Sequence, residues 1–403
     1  MSGQTLSNPL ADTTSTQWRV IGLCMLFNVI DGMDAMAMAF TVHQVAAQWA
    51  LGDAQVGLLL SASLVGMACG SLGAAALADR HGRRPLLLLG LSVSGLGMLL
   101  SFASQGFTAL LMLRAMTGLG VGAVLVGANV LTYEYASAKR RNLAIALQSA
   151  AFALGATLGG LLARALNEGP GWRHVFLAGG GITLLAALAG LRWLHESRAY
   201  AEAPSGFTQR SLRDKYRELF APAQGLQTVS LAATVFLLMF SYYFVTSWTP
   251  TLLGRDGMGA GMLLNAGGMF GAVLVGVATQ RLGSRRLLLG LLVLTATLMT
   301  LMMPAGQRLA PALAAGFGTG LLLNGAIAAV YTLAPRTFAT QIRASGVGLV
   351  LAVGRLGGIL SPSVAGLLLE AHWQPQQLLN LYAGSLLLAA LLIWRSLPAR
   401  RDT

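Results

Sequence analysis

Long apolar segments recur along the whole chain, and they constrain its fold more than any other feature of the sequence. Twelve stretches come close to the roughly 20 mostly apolar residues that an α-helix needs to cross a bilayer. We place these spans near 18–40, 55–78, 85–104, 107–131, 142–166, 174–194, 226–250, 259–279, 286–304, 309–332, 344–369 and 376–396. The sequence therefore predicts an all-α membrane protein with twelve transmembrane helices.

The composition and the placement of charge agree with a chain embedded in lipid. Of the 403 residues, 55% are hydrophobic and only 10% are charged, whereas a soluble domain carries about 25% charged residues. The net charge of +13 does not predict nucleic-acid binding, because most basic residues fall in segments on one side of the predicted membrane. The segments on the other side hold only Arg164, Arg173, Arg255 and Arg308. The positive-inside rule then predicts a multi-pass protein of the bacterial inner membrane with both termini cytoplasmic.

The two halves of the chain repeat each other. The loop between spans two and three reads Ala78-Asp79-Arg80-His81-Gly82-Arg83-Arg84, and the loop between spans eight and nine reads Thr279-Gln280-Arg281-Leu282-Gly283-Ser284-Arg285. Arg141 with Gly155 likewise matches Arg343 with Gly357, again at an offset of roughly 200 residues, and such internal repeats are common in secondary transporters. We predict an N-terminal six-helix bundle over 1–194, a cytoplasmic linker over 195–225 and a C-terminal bundle over 226–403.

The first of these loops resembles the signature of the major facilitator superfamily, G-x-L-A-D-R-x-G-R-R, although Ala75 replaces the leading Gly. The resemblance extends over nearly the whole chain and implies two pseudo-symmetric six-helix bundles and a monomer. Gly82 permits a tight turn, while charged side chains in such a loop can pair with carboxylates, carbonyls or a helix N-terminus. The resemblance implies a gating or structural role for Asp79, Arg80, Gly82 and Arg83.

A narrower pattern lies in span one, where Asp31-Gly32-Met33-Asp34 resembles the D-G-x-D motif of the aromatic acid:proton symporters. The resemblance implies uptake of benzoate, hydroxybenzoate, muconate or a related acid together with protons. Because the same intramembrane chemistry could drive antiport, a proton-driven exporter of drugs or metabolites is the alternative. A facilitator without coupling, or a membrane sensor, is a third interpretation.

Ionisable groups inside a bilayer are costly and usually functional. At 1.5 Å per residue, Asp34 lies roughly 24 Å along span one and Arg114 about 10 Å into span four. Those depths would allow the two to interact, so Asp34 is either a proton site that responds to Arg114 or half of a permanent ion pair. Asp31 lies one turn earlier and is either the proton carrier or a fixed hydrogen-bonding group. We predict that Asp31, Asp34 and Arg114 take part in proton coupling.

Arg355 is the candidate for substrate binding, because its planar guanidinium fits a carboxylate with two parallel hydrogen bonds. It stands in an apolar, Gly-rich span, and its alternative partner is Asp31 or Asp34. Further side chains could hold an aromatic ring or its hydroxyl, or could simply join helices. These candidates are Asn129, Asn324, Tyr242 and Tyr331, and further candidates of the same kind are Asn28, Asn265 and Tyr243.

Glu134 ends span four and precedes Lys139, Arg140 and Arg141. We predict that it joins the cytoplasmic charge cluster through Arg83 or Arg141, and that His43 belongs to an outer loop. The sequence contains no phosphate-binding Gly-Lys-Ser/Thr loop, no metal-ligating Cys/His cluster and no nucleophile–base pattern. It therefore predicts neither a cofactor, nor a metal, nor an enzyme, and the expected partners are a small organic acid, protons and lipid.

Overall fold

A computed structural model of the protein describes residues 15–137, 140–167, 169, 171–194, 196, 217–222, 224–253, 257–302, 308–338 and 343–396. These residues form twelve long α-helices. The helices are α1 (Ser15–Trp49), α2 (Asp53–His81), α3 (Arg83–Phe102), α4 (Phe107–Tyr135), α5 (Arg141–Asn167), α6 (Trp172–Trp193), α7 (Gly225–Leu252), α8 (Gly257–Leu282), α9 (Ser284–Thr300), α10 (Leu309–Thr337), α11 (Arg343–Glu370) and α12 (Pro375–Ser396).

Within the described ranges, eleven of these helices are long and apolar enough to cross a membrane. The twelfth, α9, has 17 residues and ends before the predicted limit of its span. The prediction of an all-α membrane protein is confirmed. Most of the predicted linker lies outside the described residues, so the domain bounds stay a prediction.

The expectation that His43 lies in a loop is wrong, because α1 continues to Trp49. Polar side chains in its last turns hold the connection between α5 and α6. The Gln44 side-chain amide donates to the Asn167 carbonyl at 2.9 Å, and the Trp172 indole donates to Gln48 at 2.7 Å. The helix therefore continues past the apolar stretch on which its predicted end was based.

The helix contacts repeat with a shift of six helices. In the first half α1 packs on α5, α2 on α4, and α3 on both α4 and α6. In the second half α7 packs on α11, α8 on α10, and α9 on both α10 and α12. The halves meet through α2 with α11 and α5 with α8, which are themselves equivalent pairs. Two pseudo-symmetric six-helix bundles are therefore confirmed.

Small residues allow the helices inside each bundle to approach closely. A Cβ atom on Gly118 or Gly122 of α4 would collide with the backbone carbonyl of Ser63 or Met67 on α2. A Cβ atom on Gly155 of α5 would likewise collide with the backbone of α1. Backbone contact of this kind replaces the hydrophobic driving force that helices lack in lipid.

Single glycines join α2 to α3 and α8 to α9. Gly82 and Gly283 have φ angles of 94° and 76°. Residues other than glycine rarely adopt such positive φ angles. An arginine two residues after each glycine makes an equivalent hydrogen bond. The Arg84 guanidinium donates to the Leu191 carbonyl at 2.8 Å, and the Arg285 guanidinium donates to the Trp394 carbonyl at 2.9 Å. The two halves therefore share both the glycine turn and the arginine contact that follows it.

The two bundles are in contact at the end that carries Ala50–Gly52, called the closed end below. There the Ala54 amide at the start of α2 donates to the Glu370 carboxylate at the end of α11, at 3.0 Å. Further along the same pair of helices, the Ser363 hydroxyl donates to the Ser61 hydroxyl at 2.9 Å. A cavity lies between the bundles beyond these contacts.

Candidate functional site

The cavity has a volume of about 290 Å³, at the lower end of the range for small-molecule pockets. Both bundles line it, and half of the lining residues carry a polar side-chain group while the other half are apolar. The lining residues are Asn28, Met67, Leu125, Asn129, Phe152, Val235, Met239, Tyr242, Tyr243, Asn324, Ile327, Tyr331, Leu351 and Arg355.

Arg355 projects from α11 into this cavity and remains exposed. Its guanidinium donates to the Ser71 hydroxyl of α2 at 3.2 Å. The hydroxyls of Tyr243 and Tyr331 are close enough to interact electrostatically with the guanidinium. No ion pair joins Arg355 to any carboxylate among the described residues. A guanidinium carries five N–H donors, so most of them can serve a ligand.

The other predicted substrate-binding residues also line the cavity, except Asn265, which is buried outside it and donates to the Gly261 carbonyl of its own helix at 3.0 Å. Tyr242 lies beside Asn324, and the Asn324 side-chain amide donates to the Gly320 carbonyl of its own helix at 3.1 Å. Asn129 makes the equivalent bond within α4, to the Leu125 carbonyl at 2.8 Å. These bonds occupy one amide hydrogen each and leave the oxygens available to a ligand.

The apolar part of the wall was not identified from the sequence. Phe152, Met67 and Met239 face the cavity from α5, α2 and α7. In the sequence they resemble any other apolar residue of a span, and only the packing of the two bundles selects them. Together with the tyrosines they offer flat and polarizable surfaces to an aromatic ring.

Asp34 lies outside the cavity, inside the first bundle. It is 1% exposed, and its Oδ2 accepts from the Ser94 hydroxyl of α3 at 2.8 Å. The Thr183 hydroxyl of α6 lies 3.4 Å from the same oxygen, but its shorter bond, at 2.8 Å, goes to the Gly179 carbonyl. Among the described residues, Oδ1 has no hydrogen-bond donor. The bond from Ser94 fixes the position of this carboxyl group.

Arg114 is fully buried near Asp34. It donates to the hydroxyls of Ser101 at 2.9 Å and Thr117 at 3.0 Å, and its guanidinium lies 4.5 Å from the centroid of the Phe176 ring. The structure has no direct ion pair between Arg114 and Asp34. Their interaction therefore acts through space, since hydroxyls and an aromatic face surround the cation.

Asp31 is also fully buried, and neither of its carboxyl oxygens has a hydrogen-bond donor in the described structure. It therefore does not pair with Arg355 or act as a fixed hydrogen-bonding group through the described side chains. A charged carboxylate without donors is costly in apolar surroundings. Arg355 therefore lines the cavity, whereas Asp31 and Asp34 are buried in the first bundle and do not line it.

The charged residues near Gly82 meet at the end of the first bundle opposite to the closed end. The Arg83 guanidinium pairs with Glu134 at 3.2 Å. Glu196, just after α6, accepts from the backbone amides of Arg83 and Arg84 at 3.0 and 3.1 Å and so caps α3. The sequence did not reveal this cap, because Glu196 stands in the predicted linker. The side chains of Asp79, Arg80 and Arg141 lie outside the described residues.

A model of the family described as Major Facilitator Superfamily matches residues 24–276 and 260–403 of the chain. Among solved structures, a bacterial homologue of the human lysosomal transporter Spinster, in an inward-facing and occupied conformation, superposes with a TM-score of 0.79. The match covers 95% of this chain and 97% of that one at 19% identity. At this identity the likeness shows the fold alone.

Two curated relatives are similar over most of their length. The 4-hydroxybenzoate transporter PcaK of Pseudomonas putida is 32% identical, with 90% of this chain and 89% of the relative covered. The 3-(3-hydroxy-phenyl)propionate transporter of Escherichia coli K12 is 32% identical, with 89% of each chain covered.

Proposed function

The chain belongs to the major facilitator superfamily, and we propose that it is a proton-coupled secondary transporter that imports an aromatic or related organic acid. The observation that carries the proposal is Arg355, an arginine in the cavity between the two bundles that has no carboxylate partner among the described residues. The two relatives are named as transporters of 4-hydroxybenzoate and of 3-(3-hydroxy-phenyl)propionate. Their names support the proposal that the substrate is an acid of the benzoate, hydroxybenzoate or muconate type.

We propose that the carboxylate of the acid binds Arg355 and that its ring lies among the apolar and aromatic side chains. The guanidinium can form two parallel hydrogen bonds with a carboxylate, and Tyr243 and Tyr331 add hydroxyls close to it. Asn129, Asn324 and Tyr242 present polar groups elsewhere in the wall, where a ring substituent can reach them. A cationic substrate would be repelled by Arg355, which disfavours the export of cationic drugs.

We propose further that Asp31 or Asp34 carries the proton, and that Arg114 influences Asp34 through space. Neither carboxyl group lines the cavity, so substrate and proton occupy separate places. Coupling then depends on movement of the first bundle rather than on direct contact between acid and proton.

Transport by alternating access requires each end of the protein to close in turn. The positive-inside pattern supports a cytoplasmic location for both termini, and we propose accordingly that the closed end faces the periplasm and that this conformation is open inward. Arg83 with Glu134 and the loop around Asp79, Arg80, Gly82 and Arg141 would then act at the cytoplasmic gate. We propose that a single chain in the bacterial inner membrane performs the cycle.

The test is accumulation of labelled benzoate, 4-hydroxybenzoate, protocatechuate and muconate in cells expressing the chain, with and without a protonophore. We expect accumulation of at least one acid that the protonophore abolishes. Arg355→Ala should abolish it, because the carboxylate loses its cation. At least one of the variants Asp31→Asn and Asp34→Asn should lose accumulation, because the proton carrier is then missing. The same variant should still exchange labelled acid for unlabelled acid across the membrane.

Arg308→Ala is the matched control, since Arg308 is an exposed arginine before α10. It should accumulate the acid as the wild type does, at equal membrane abundance. Accumulation that survives Arg355→Ala would contradict the binding role. Faster loss of a preloaded acid from expressing cells would replace import by export, and accumulation in both aspartate variants would indicate an uncoupled facilitator.

A further inference from the structure

Asn28 borders the cavity and is only 2% exposed. Its side-chain amide nitrogen donates to the backbone carbonyl of Gln148 on α5 at 3.1 Å. A carbonyl can only accept, so this bond fixes which side of the Asn28 amide carries the oxygen. That oxygen, Oδ1, is buried and accepts no hydrogen bond from the part of the chain that the structure describes.

Gln148 is itself held in place. Its side-chain amide donates to the Cys24 carbonyl at 3.3 Å, and it accepts from the Thr132 hydroxyl at 3.3 Å. The residue is fully buried between α1, α4 and α5. The Gln148 carbonyl is thus a fixed partner, and Asn28 keeps its orientation as long as that bond exists.

Asp31 follows Asn28 by three positions, and both are buried. Residues three apart on a helix are neighbours, and helical side chains point back toward the N-terminus. This spacing puts Asp31 one turn from Asn28, with its side chain directed back along α1 on a neighbouring part of the helix surface. Among the described residues, neither Asn28 Oδ1 nor either Asp31 oxygen has a hydrogen-bond partner.

We infer that Asn28 is the positioning residue of the proton site: protonated Asp31 donates its O–H to Asn28 Oδ1, and Asn28 links this proton to the cavity. The inference rests on the proposed proton coupling and assigns the carried proton to Asp31. Asp34, by contrast, already accepts a hydrogen bond from the Ser94 hydroxyl, which suits its charged form.

The same amide can serve both states of Asp31. When the proton leaves for water, the carboxylate needs a donor, and rotation of the Asn28 amide brings its N–H₂ toward Asp31. That rotation breaks the bond to the Gln148 carbonyl, which joins α1 to α5. Because Asn28 also borders the cavity, a bound acid can favour one orientation, and proton and substrate then influence each other without touching.

The first test is infrared difference spectroscopy of the purified, full-length protein during a pH change, without substrate. The band of a protonated carboxyl group that disappears in Asp31→Asn identifies Asp31. We expect this band to shift in Asn28→Leu, which removes the acceptor, and to stay in place in Asn129→Leu. Asn129 is the matched control, since it is a cavity amide bonded within its own helix. An unchanged band in Asn28→Leu would overturn the inference.

The second test separates coupling from binding by comparing accumulation of an acid with its exchange, which needs no net proton movement. A hydrogen bond to a buried group contributes on the order of 1 kcal/mol, so Asn28→Leu should lower accumulation about five- to tenfold while exchange persists. Asn28→Ser, which retains a hydroxyl acceptor and is less disruptive, should recover part of the loss. Equal loss of both activities in Asn28→Leu and Asn28→Ser would overturn the inference.

The two proposals fail in different ways. If no acid accumulates in the wild type but the Asp31 band shifts in Asn28→Leu, the proposed import is wrong and the link between Asn28 and Asp31 stands. If an acid accumulates and neither the band nor the coupling responds to Asn28, the import stands and the link is wrong.

Discussion

The contact between Glu370 and the start of α2 should set how readily the closed end opens. The Glu370 carboxylate accepts from the Ala54 amide at 3.0 Å, where the backbone amides of a helix start are unpaired and the helix dipole is positive. An N-terminal cap contributes about 1 kcal/mol, and here it exists only while the two bundles are in contact. Glu370→Ala should therefore favour opening about fivefold.

Two further variants separate charge from hydrogen bonding. Glu370→Gln keeps an acceptor but loses the interaction with the dipole, so its effect should be about half that of Glu370→Ala. Asp53 begins α2 and its carboxylate repels that of Glu370. Asp53→Asn removes the repulsion, so it should favour the closed end and act in the opposite direction.

The assay is the distribution of distances between spin labels at Ala47 and Gln374, which are exposed on opposite bundles at the closed end. The two native cysteines, Cys24 and Cys69, would be replaced by alanine. A longer-distance population should grow in Glu370→Ala and shrink in Asp53→Asn. An unchanged distribution in Glu370→Ala, or shifts of the same sign in both variants, would refute the reasoning.

Three other substitutions test the packing and the pair at the opposite end. Gly155→Ala should lower the free energy of unfolding by about 1–3 kcal/mol, because its Cβ would collide with the α1 backbone. Thermal unfolding in detergent measures the effect. Gly384→Ala is the control and should leave the stability unchanged, because no atom lies within 4 Å of the added Cβ. Glu134→Gln should cost less than about 1 kcal/mol yet lower modification of cysteines introduced at the cytoplasmic end, because it breaks a pair with Arg83 that the inward-open conformation contains; unchanged modification would contradict a gating role. Tyr382→Phe should cost about 1 kcal/mol, since its hydroxyl donates at 2.7 Å to a buried backbone carbonyl of α11; an unchanged melting temperature would contradict this.

The fold could be predicted because lipid imposes strict rules on a chain. Spans must be apolar and helical, and basic residues mark one side, so the helix count follows from the sequence. The duplication was visible for a similar reason. Gly82 and Gly283 need backbone angles that other residues rarely adopt, and such positions stand out in a sequence.

The site could be predicted only in part. Charged and polar residues inside spans are few, so Arg355 and the cavity tyrosines and asparagines could be selected by type. Their partners depend on packing angles that no spacing reveals. The depths along the helices predicted that Asp34 lies close to Arg114, but the direct hydrogen-bond donor to Asp34 is the Ser94 hydroxyl of α3.

The single-residue connections at Gly82 and Gly283 limit how each bundle can deform. One residue spans less than about 4 Å, so α2 and α3 share a corner without slack, as do α8 and α9. A displacement of α2 at the membrane surface must carry the start of α3 with it. Each bundle therefore has fewer independent internal motions than its six helices imply, because a shift of the end of α2 reaches the start of α3 instead of being absorbed in a loop.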